Sequence, residues 1–287
     1  MQNKSLIFAV LLGMLFPLLS QAQPNLKTKA QLQVFQRYTR YRLAEDERNA
    51  VRRLDLSFHE LFEIPVTIGD FDNCLELNFS VNKLSKLPPE LVDMERLQYL
   101  IGMKNLISAM PAGIDQLVDL QYLDFSHNLI PGVPKQIGNL AYLRVLFLNN
   151  NRIRALPFEL GELSTLEELN VSVNRLERLP SSLGQLTNLK NLDVSYNFLT
   201  ELPDNFGDLQ NLEYLDLSRN QLTSLPDSIC YLENLRYLNL RGNRLKTIPA
   251  KFALLNNLAV LNLKGNKLTG KQKAFLKTRL PYCDIKF

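Results

Sequence analysis

The sequence predicts an α/β fold: a right-handed solenoid, bent as a horseshoe, with one parallel β-sheet along its concave side. Three observations predict it. The pattern L-x-x-L-x-L-x-x-N-x-L-x-x-L-P recurs every 23 residues without insertion, in ten copies starting at 51, 74, 97, 120, 143, 166, 189, 212, 235 and 258. Each L-x-x-L-x-L segment alternates apolar and other residues, as a short strand buried on one face does. One unit of this size cannot bury its own apolar face, so neighbours must stack.

The elements follow in chain order. Residues 1–22 have the form of an export signal: Lys4 in the n-region, an apolar core from Leu6 to Leu19, and small Ser20 and Ala22 at a cleavage site. The apolar run is short for a membrane span, which needs about 20 residues. No lipoprotein-type cysteine directly follows it, and no second long apolar run exists. The expected mature chain begins at Gln23 and is secreted or periplasmic. Residues 23–50 are expected to form a helical cap, because the end of a solenoid is an apolar edge. Thr28-Lys-Ala-Gln31 fits a capping box. Val34, Phe35, Tyr38 and Tyr41 fall on one helical face, which predicts a helix over 28–43 covering the first repeat.

The repeats occupy 51–270. Their fourth residue is always leucine, from Leu54 to Leu261. The ninth is asparagine in nine copies, from Asn82 to Asn266, with His59 in the first. Such an asparagine turns the chain out of the strand, its amide satisfying buried backbone groups of its own and the next turn. Proline closes the pattern in nine copies, from Pro65 to Pro249, fixing φ where the convex segment opens. Gly102 replaces the apolar sixth residue of the third copy, which predicts a thin core there. Residues 271–287 are expected to be a C-terminal cap. Lys271 and Gln272 replace the Leu-Pro pair, 271–279 reads as a helix, and 283–287 as a closing strand.

This register resembles the leucine-rich repeat family, in its 23-residue class with L-P-x-x-I/L-x-x-L on the back, of the kind found in secreted bacterial proteins. The resemblance covers residues 51–287. It implies a non-catalytic interaction scaffold, while leaving the ligand open.

The rest of the sequence points away from catalysis. The chain has 287 residues, 46% hydrophobic and 22% charged, which excludes disorder and a disulfide scaffold. Its net charge of +4 is too small to argue for nucleic acid. Two histidines leave little for a metal site or a catalytic relay, and no phosphate loop, H-E-x-x-H, C-x-x-C or G-x-S-x-G occurs. No enzyme activity, cofactor or metal is expected. Cys74, Cys230 and Cys283 read as buried free thiols. The Asp-x-Ser pairs, such as Asp193/Ser195 and Asp216/Ser218, read as exposed polar strand positions. Asn78-Phe-Ser80 and Asn170-Val-Ser172 match glycosylation sequons, but they too follow from the repeat.

Two features are not dictated by the repeat. At concave positions of the third to fifth copies the residues become apolar or aromatic: Tyr99, Ile101, Met103, Tyr122, Val145 and Phe147. Exposed aromatic clusters mark interfaces. Lys104, His127 and Asn150, at position eight, would supply a polar rim. Charge is also segregated: residues 155–234 carry 13 acidic against 4 basic residues, and 235–287 carry 12 basic against Asp284 alone. Arg219, Arg241, Arg244, Lys264 and Lys267 are candidates for contact with an anionic glycan, lipopolysaccharide or lipid surface. The expected function is recognition of a protein partner by the concave sheet outside the cytoplasm, with the anionic-surface contact as the alternative.

Overall fold

The computed structural model describes residues 26–287, so the export segment 1–22 and the expected mature terminus Gln23 lie outside the described residues. Twelve strands form one sheet in sequence order, every neighbouring pair parallel. β1 is Arg37–Tyr38 and β2 is Arg53–Asp55. β3 to β10 follow, one per repeat, from Glu76–Asn78 to Tyr237–Asn239. β11 is Val260–Asn262 and β12 is Asp284–Lys286.

The strands occupy positions three to five of each copy, so the fourth-position leucines lie in register: Leu100 pairs with Leu123, and Leu123 with Leu146. Strand alternation turns them all inward, where they join one continuous apolar cluster. Positions three and five face the other way. The convex segments of the first nine copies open on proline. Pro134, at φ −68°, leads into a 3₁₀ turn over Lys135–Asn139, and most other copies repeat this arrangement.

The ninth-position asparagines form the expected ladder, with one change of direction. The Asn151 amide donates to Leu148 O of its own turn at 3.0 Å and to Phe125 O at 2.9 Å, while its Oδ1 accepts from Ile130 N at 3.0 Å. Phe125 and Ile130 belong to the preceding turn, not the next. In the first copy His59 stays exposed and its ring meets Ser57 O, so it takes no ladder role.

Position eight is left-handed in all ten copies. Phe58, Val81, Lys104, His127, Asn150, Val173, Tyr196 and Arg219 have φ between 52° and 60°, and Gly242 and Gly265 have 69° and 72°. Few side chains tolerate this backbone. The gain is a hydrogen bond beyond the strand: Val173 N donates to Ser195 O and Tyr196 N to Ser218 O, each at 2.9 Å.

Gly102 does not leave a thin core. A Cβ there would lie 2.2 Å from the Phe79 ring and 2.9 Å from the Phe125 ring. These phenylalanines hold the same sixth position in the flanking copies. Their rings converge to 6.2 Å over the glycine and fill the space it vacates.

The N-terminal region departs from the single helix expected over 28–43. Helix α1 is Lys29–Leu32, helix α2 is Tyr41–Asp46, and β1 lies between them. The Thr28/Gln31 capping box forms, but the helix ends after one turn. Tyr38 pairs with Leu54 as sheet and is buried, whereas Val34 is 82% exposed. Sheet extension wins because β2 otherwise presents an unpaired edge. α1 therefore does not cover the first repeat. It lies on the outer face of the sheet, where Leu32 packs on Leu75 and Tyr99.

At the other end helix α3 spans Gly270–Arg279, capped by Thr269, and β12 pairs with β11. The three described cysteines are free thiols. Cys74 and Cys230 are buried, but Cys283 is only half-buried because it sits beside the last strand. Burial pushes the Cys74 thiol up to about 12.

Candidate binding face

The outer face of the sheet is built by positions three, five and seven. Position three carries Tyr99, Tyr122 and Val145 on consecutive strands, in direct register. Tyr99 and Tyr122 stack with ring centroids 6.0 Å apart, and Tyr122 meets Phe147 edge-on at 5.7 Å. Ile101, Met103, Tyr122, Val145 and Phe147 are all half-buried, and His127 and Lys104 are exposed beside them. These residues therefore form one continuous surface. Burial pushes the Tyr122 hydroxyl up, helped by the nearby carboxylates of Asp124 and Glu168, so it stays a neutral donor.

Tyr99 is the exception within the set. It is only 8% exposed. Its hydroxyl donates to Lys27 O at 3.0 Å, Lys27 N donates to Gln98 Oε1 at 2.7 Å, and Gln121 donates to the same Lys27 carbonyl. The Lys29 ammonium lies 5.1 Å from the Tyr99 ring centroid and pairs with Glu76. Residues 27–35 thus form a strap over the first part of the face. Beside the strap, the open cleft is lined by Thr28, Gln121, Tyr122, Arg144, Glu168 and Asn191 among others, with a volume of about 210 Å³.

Position five is less exposed than the sequence reading placed it. Asp124 is buried and Asp193 half-buried, and Ser195 and Ser218 are buried. Each carboxylate caps its own strand end: Ser126 N donates to Asp124, Ser195 N to Asp193, and Ser218 N to Asp216, at 2.8–2.9 Å. The Asp-x-Ser recurrence is this local bond. The same bond takes the asparagine of both sequons: Asn78 and Asn170 each accept from the serine two residues on.

A second aromatic pair escaped the sequence reading. Tyr214 and Tyr237, also at position three, stack with centroids 4.6 Å apart and planes 4° apart. Their adjacency was available as the spacing of 23 between two position-three tyrosines. Between the two aromatic pairs lie Glu168 and Asn191, and Asp193 and Asp216 pair in register across neighbouring strands. Burial holds the Glu168 carboxyl above its usual range. Burial does the same to Asp193, opposed by bonds from Ser195 and reinforced by Asp216.

Arg219, Arg241, Arg244, Lys264 and Lys267 are all exposed, on positions seven, eight and ten of the last three copies. Arg219 lies 5.9 Å from the Tyr196 ring centroid. Among the described residues none of the five makes an ion pair. No group of three or more His, Cys, Asp or Glu that could hold a metal ion occurs among the described residues. No described helix is long and apolar enough to cross a membrane.

Comparison with known proteins gives a consistent picture. A family profile described as leucine-rich repeat region matches residues 130–217, and one described as leucine rich repeat matches 210–268. Among solved structures, a TDR receptor is 29% identical over 84% of this chain and 44% of its own, with a TM-score of 0.75. The plant peptide hormone receptor RGFR1 in complex with RGF2 is 29% identical over 72% of this chain and 34% of its own, TM-score 0.67. The internalin InlF of Listeria monocytogenes shares the fold at 20% identity, covering 91% of this chain and 85% of its own, TM-score 0.68. The chain spans less than half the length of either receptor. No match was found among curated proteins.

Proposed function

Because the chain belongs to the leucine-rich repeat family, we propose that it is a non-catalytic protein-binding scaffold that takes its partner on the concave sheet face, outside the cytoplasm. The observation that carries this reading is the row Tyr122, Val145 and Phe147. Their side chains point away from a core already filled by Leu123, Leu146 and Leu148, and stay partly open to solvent. Core packing therefore does not account for them. Aromatic side chains offer large apolar area and lose little entropy on contact, as interface anchors do. A receptor that shares this fold is described in complex with RGF2. The export-signal form of residues 1–22 supports a location outside the cytoplasm.

The test is capture of partners from extracellular or envelope extract by the mature chain. Tyr122→Ala with Phe147→Ala should weaken capture by about 2 kcal/mol or more. Melting should shift far less than for Leu146→Ala, which opens a cavity costing roughly 2–5 kcal/mol. Normal capture by a folded double variant would move the binding site elsewhere.

A second reading has its own support. The five exposed cations of the last three copies, none in an ion pair among the described residues, form a surface suited to an anionic glycan, lipopolysaccharide or lipid headgroups. Reversing Arg241, Arg244, Lys264 and Lys267 to glutamate should then abolish salt-sensitive binding to anionic liposomes or lipopolysaccharide. Absence of such binding by the unaltered protein at low salt would leave these charges a solubility feature.

A further inference from the structure

We propose that the sheet face between Phe147 and Tyr237 receives an extended segment of the partner that carries basic side chains, seated against Glu168, Asp193 and Asp216. This rests on the reading of the sheet face as the partner surface and names the chemistry of the partner.

The chain's own strap shows what this face accepts. Lys29 places its ammonium between a carboxylate, Glu76, and a tyrosine ring, Tyr99, which hold the same position on neighbouring strands. One helical turn later Leu32 is fully buried against Leu75 and Tyr99. The Lys27 main-chain carbonyl takes bonds from Tyr99 and Gln121. A basic residue, an apolar residue and a main-chain oxygen are thus each met by a matching group.

Further along, the face offers the same groups with no cation between them. Positions three, five and seven of the copies starting at 120, 143, 166, 189 and 212 carry Asp124, Glu168, Asp193 and Asp216, and no lysine or arginine. Asp124 is buried and tied to Ser126. The Glu168 carboxylate makes no hydrogen bond or ion pair among the described residues. Asp193 and Asp216 face each other in register. Arg144 and Lys190, at the edge of the sheet, are both engaged by Glu167. Burial already disfavours the charge on Glu168 and Asp193, so an arriving cation relieves a cost present in the free protein. The aromatic pairs flank the site: Tyr122 and Phe147 on one side, Tyr214 and Tyr237 on the other. Ring faces attract a lysine or arginine head as the carboxylates do. Four strand intervals separate Val145 from Tyr237, roughly 19 Å, which an extended segment of about six residues spans.

The sequence itself supplies a substitution that keeps the fold. Asn170 and Asn239 hold position five in other copies, and Asn170 Oδ1 accepts from Ser172 N at 3.0 Å, as Asp193 accepts from Ser195 N at 2.9 Å. Charge can therefore be removed here without removing the bond.

The experiment uses fluorescein-labelled octa-arginine and octa-glutamate peptides, read by anisotropy against the mature chain. Two triple variants remove the same charge. One is Glu168→Gln, Asp193→Asn, Asp216→Asn. The other, on exposed convex sites, is Glu162→Gln, Asp208→Asn, Glu233→Gln. Octa-arginine should bind and octa-glutamate should not. The sheet variant should weaken binding at least about tenfold, and the convex variant less than about twofold. Equal loss in both, or no binding by the unaltered protein at low salt, overturns the proposal. Sedimentation of the unlabelled chain covers the other occupant: self-association that only the sheet variant abolishes would assign the face to a second copy's basic end and overturn it too. Partner capture separates the two levels. If the sheet variant captures normally while Tyr122→Ala with Phe147→Ala does not, the scaffold stands and the basic segment falls. If neither variant loses capture, both fall.

Discussion

Tyr99 donates its hydroxyl to the main-chain carbonyl of Lys27 at 3.0 Å, tying a sheet residue to chain 72 positions earlier. The most N-terminal ring of the aromatic row is therefore already occupied by the protein itself. The part of the aromatic row left open to solvent begins at Tyr122, one strand further on.

The strap should open locally, before the solenoid unfolds. It is held by one fully buried side chain, Leu32, and a few polar contacts. Leu32→Ala should raise hydrogen exchange across residues 27–35 while shifting global stability by less than about 2 kcal/mol, below the usual range for a core leucine. Exchange measured by mass spectrometry decides it. Unchanged protection of 27–35 would mean that Leu32 is not what holds the strap.

Acid should release the same strap. Burial pushes the Glu76 carboxyl up, but bonds from Lys29 and Arg53 outweigh it and hold the group below its usual range. A depressed carboxyl contributes stability that is complete above the unfolded value, about 4.3, and is lost as pH falls through the lower folded value. Exchange within 27–35 should therefore rise as pH drops below about 4, beyond its chemical baseline. Glu76→Gln should remove that pH dependence. Protection that grows on acidification would refute the ion pair as the anchor.

How much of this was legible depended on distance along the chain. A fixed period of 23 residues makes neighbours in space neighbours in pattern, so register, ladder and convex prolines could all be read. The Thr28 capping box was legible because it is local. Helix length was not, because Tyr38 pairs with Leu54 across the sheet and overrides the helical spacing. The strap was invisible for the same reason: nothing local ties Lys27 to Tyr99. The left-handed eighth position had a signal in Gly242 and Gly265, but Val81 and Val173 hid it. The filling of Gly102 was also readable, since Phe79 and Phe125 stand one period to either side.

That filling makes Gly102 intolerant of a side chain. Gly102→Ala places a methyl 2.2 Å from the Phe79 ring and should cost roughly 1–3 kcal/mol in urea melts. Adding Phe79→Leu should recover part of the loss by opening space. Stabilisation by alanine alone would mean that the core is thin there after all.

The asparagine ladder should be as sensitive in the middle of the solenoid. Asn151→Leu leaves the Ile130 N–H without its acceptor and takes one of two donors from each of the Phe125 and Leu148 carbonyls, which keep Asn128 and Asn174. The expected cost is on the order of 1–3 kcal/mol by urea melting. A change below about 0.5 kcal/mol would leave the ladder without a structural role at this turn.

Glu168 should behave in the opposite sense to Glu76. Burial alone raises its folded value, with no bond or cation to offset it. A raised carboxyl binds its proton more readily folded than unfolded, so its contribution falls as pH rises from the unfolded value through the folded one. At neutral pH the ionised group is a net burden on the fold. Glu168→Gln should therefore raise the melting temperature at pH 7, and the gain should vanish below about pH 4, where both carboxyl states are protonated. A partner cation would relieve the same burden, so the stabilised variant should be the poorer binder of octa-arginine. That pairing of higher stability with weaker binding is what a site kept for contact produces. If Glu168→Gln lowers the melting temperature at pH 7, the carboxylate has a stabilising partner and is not free to receive one.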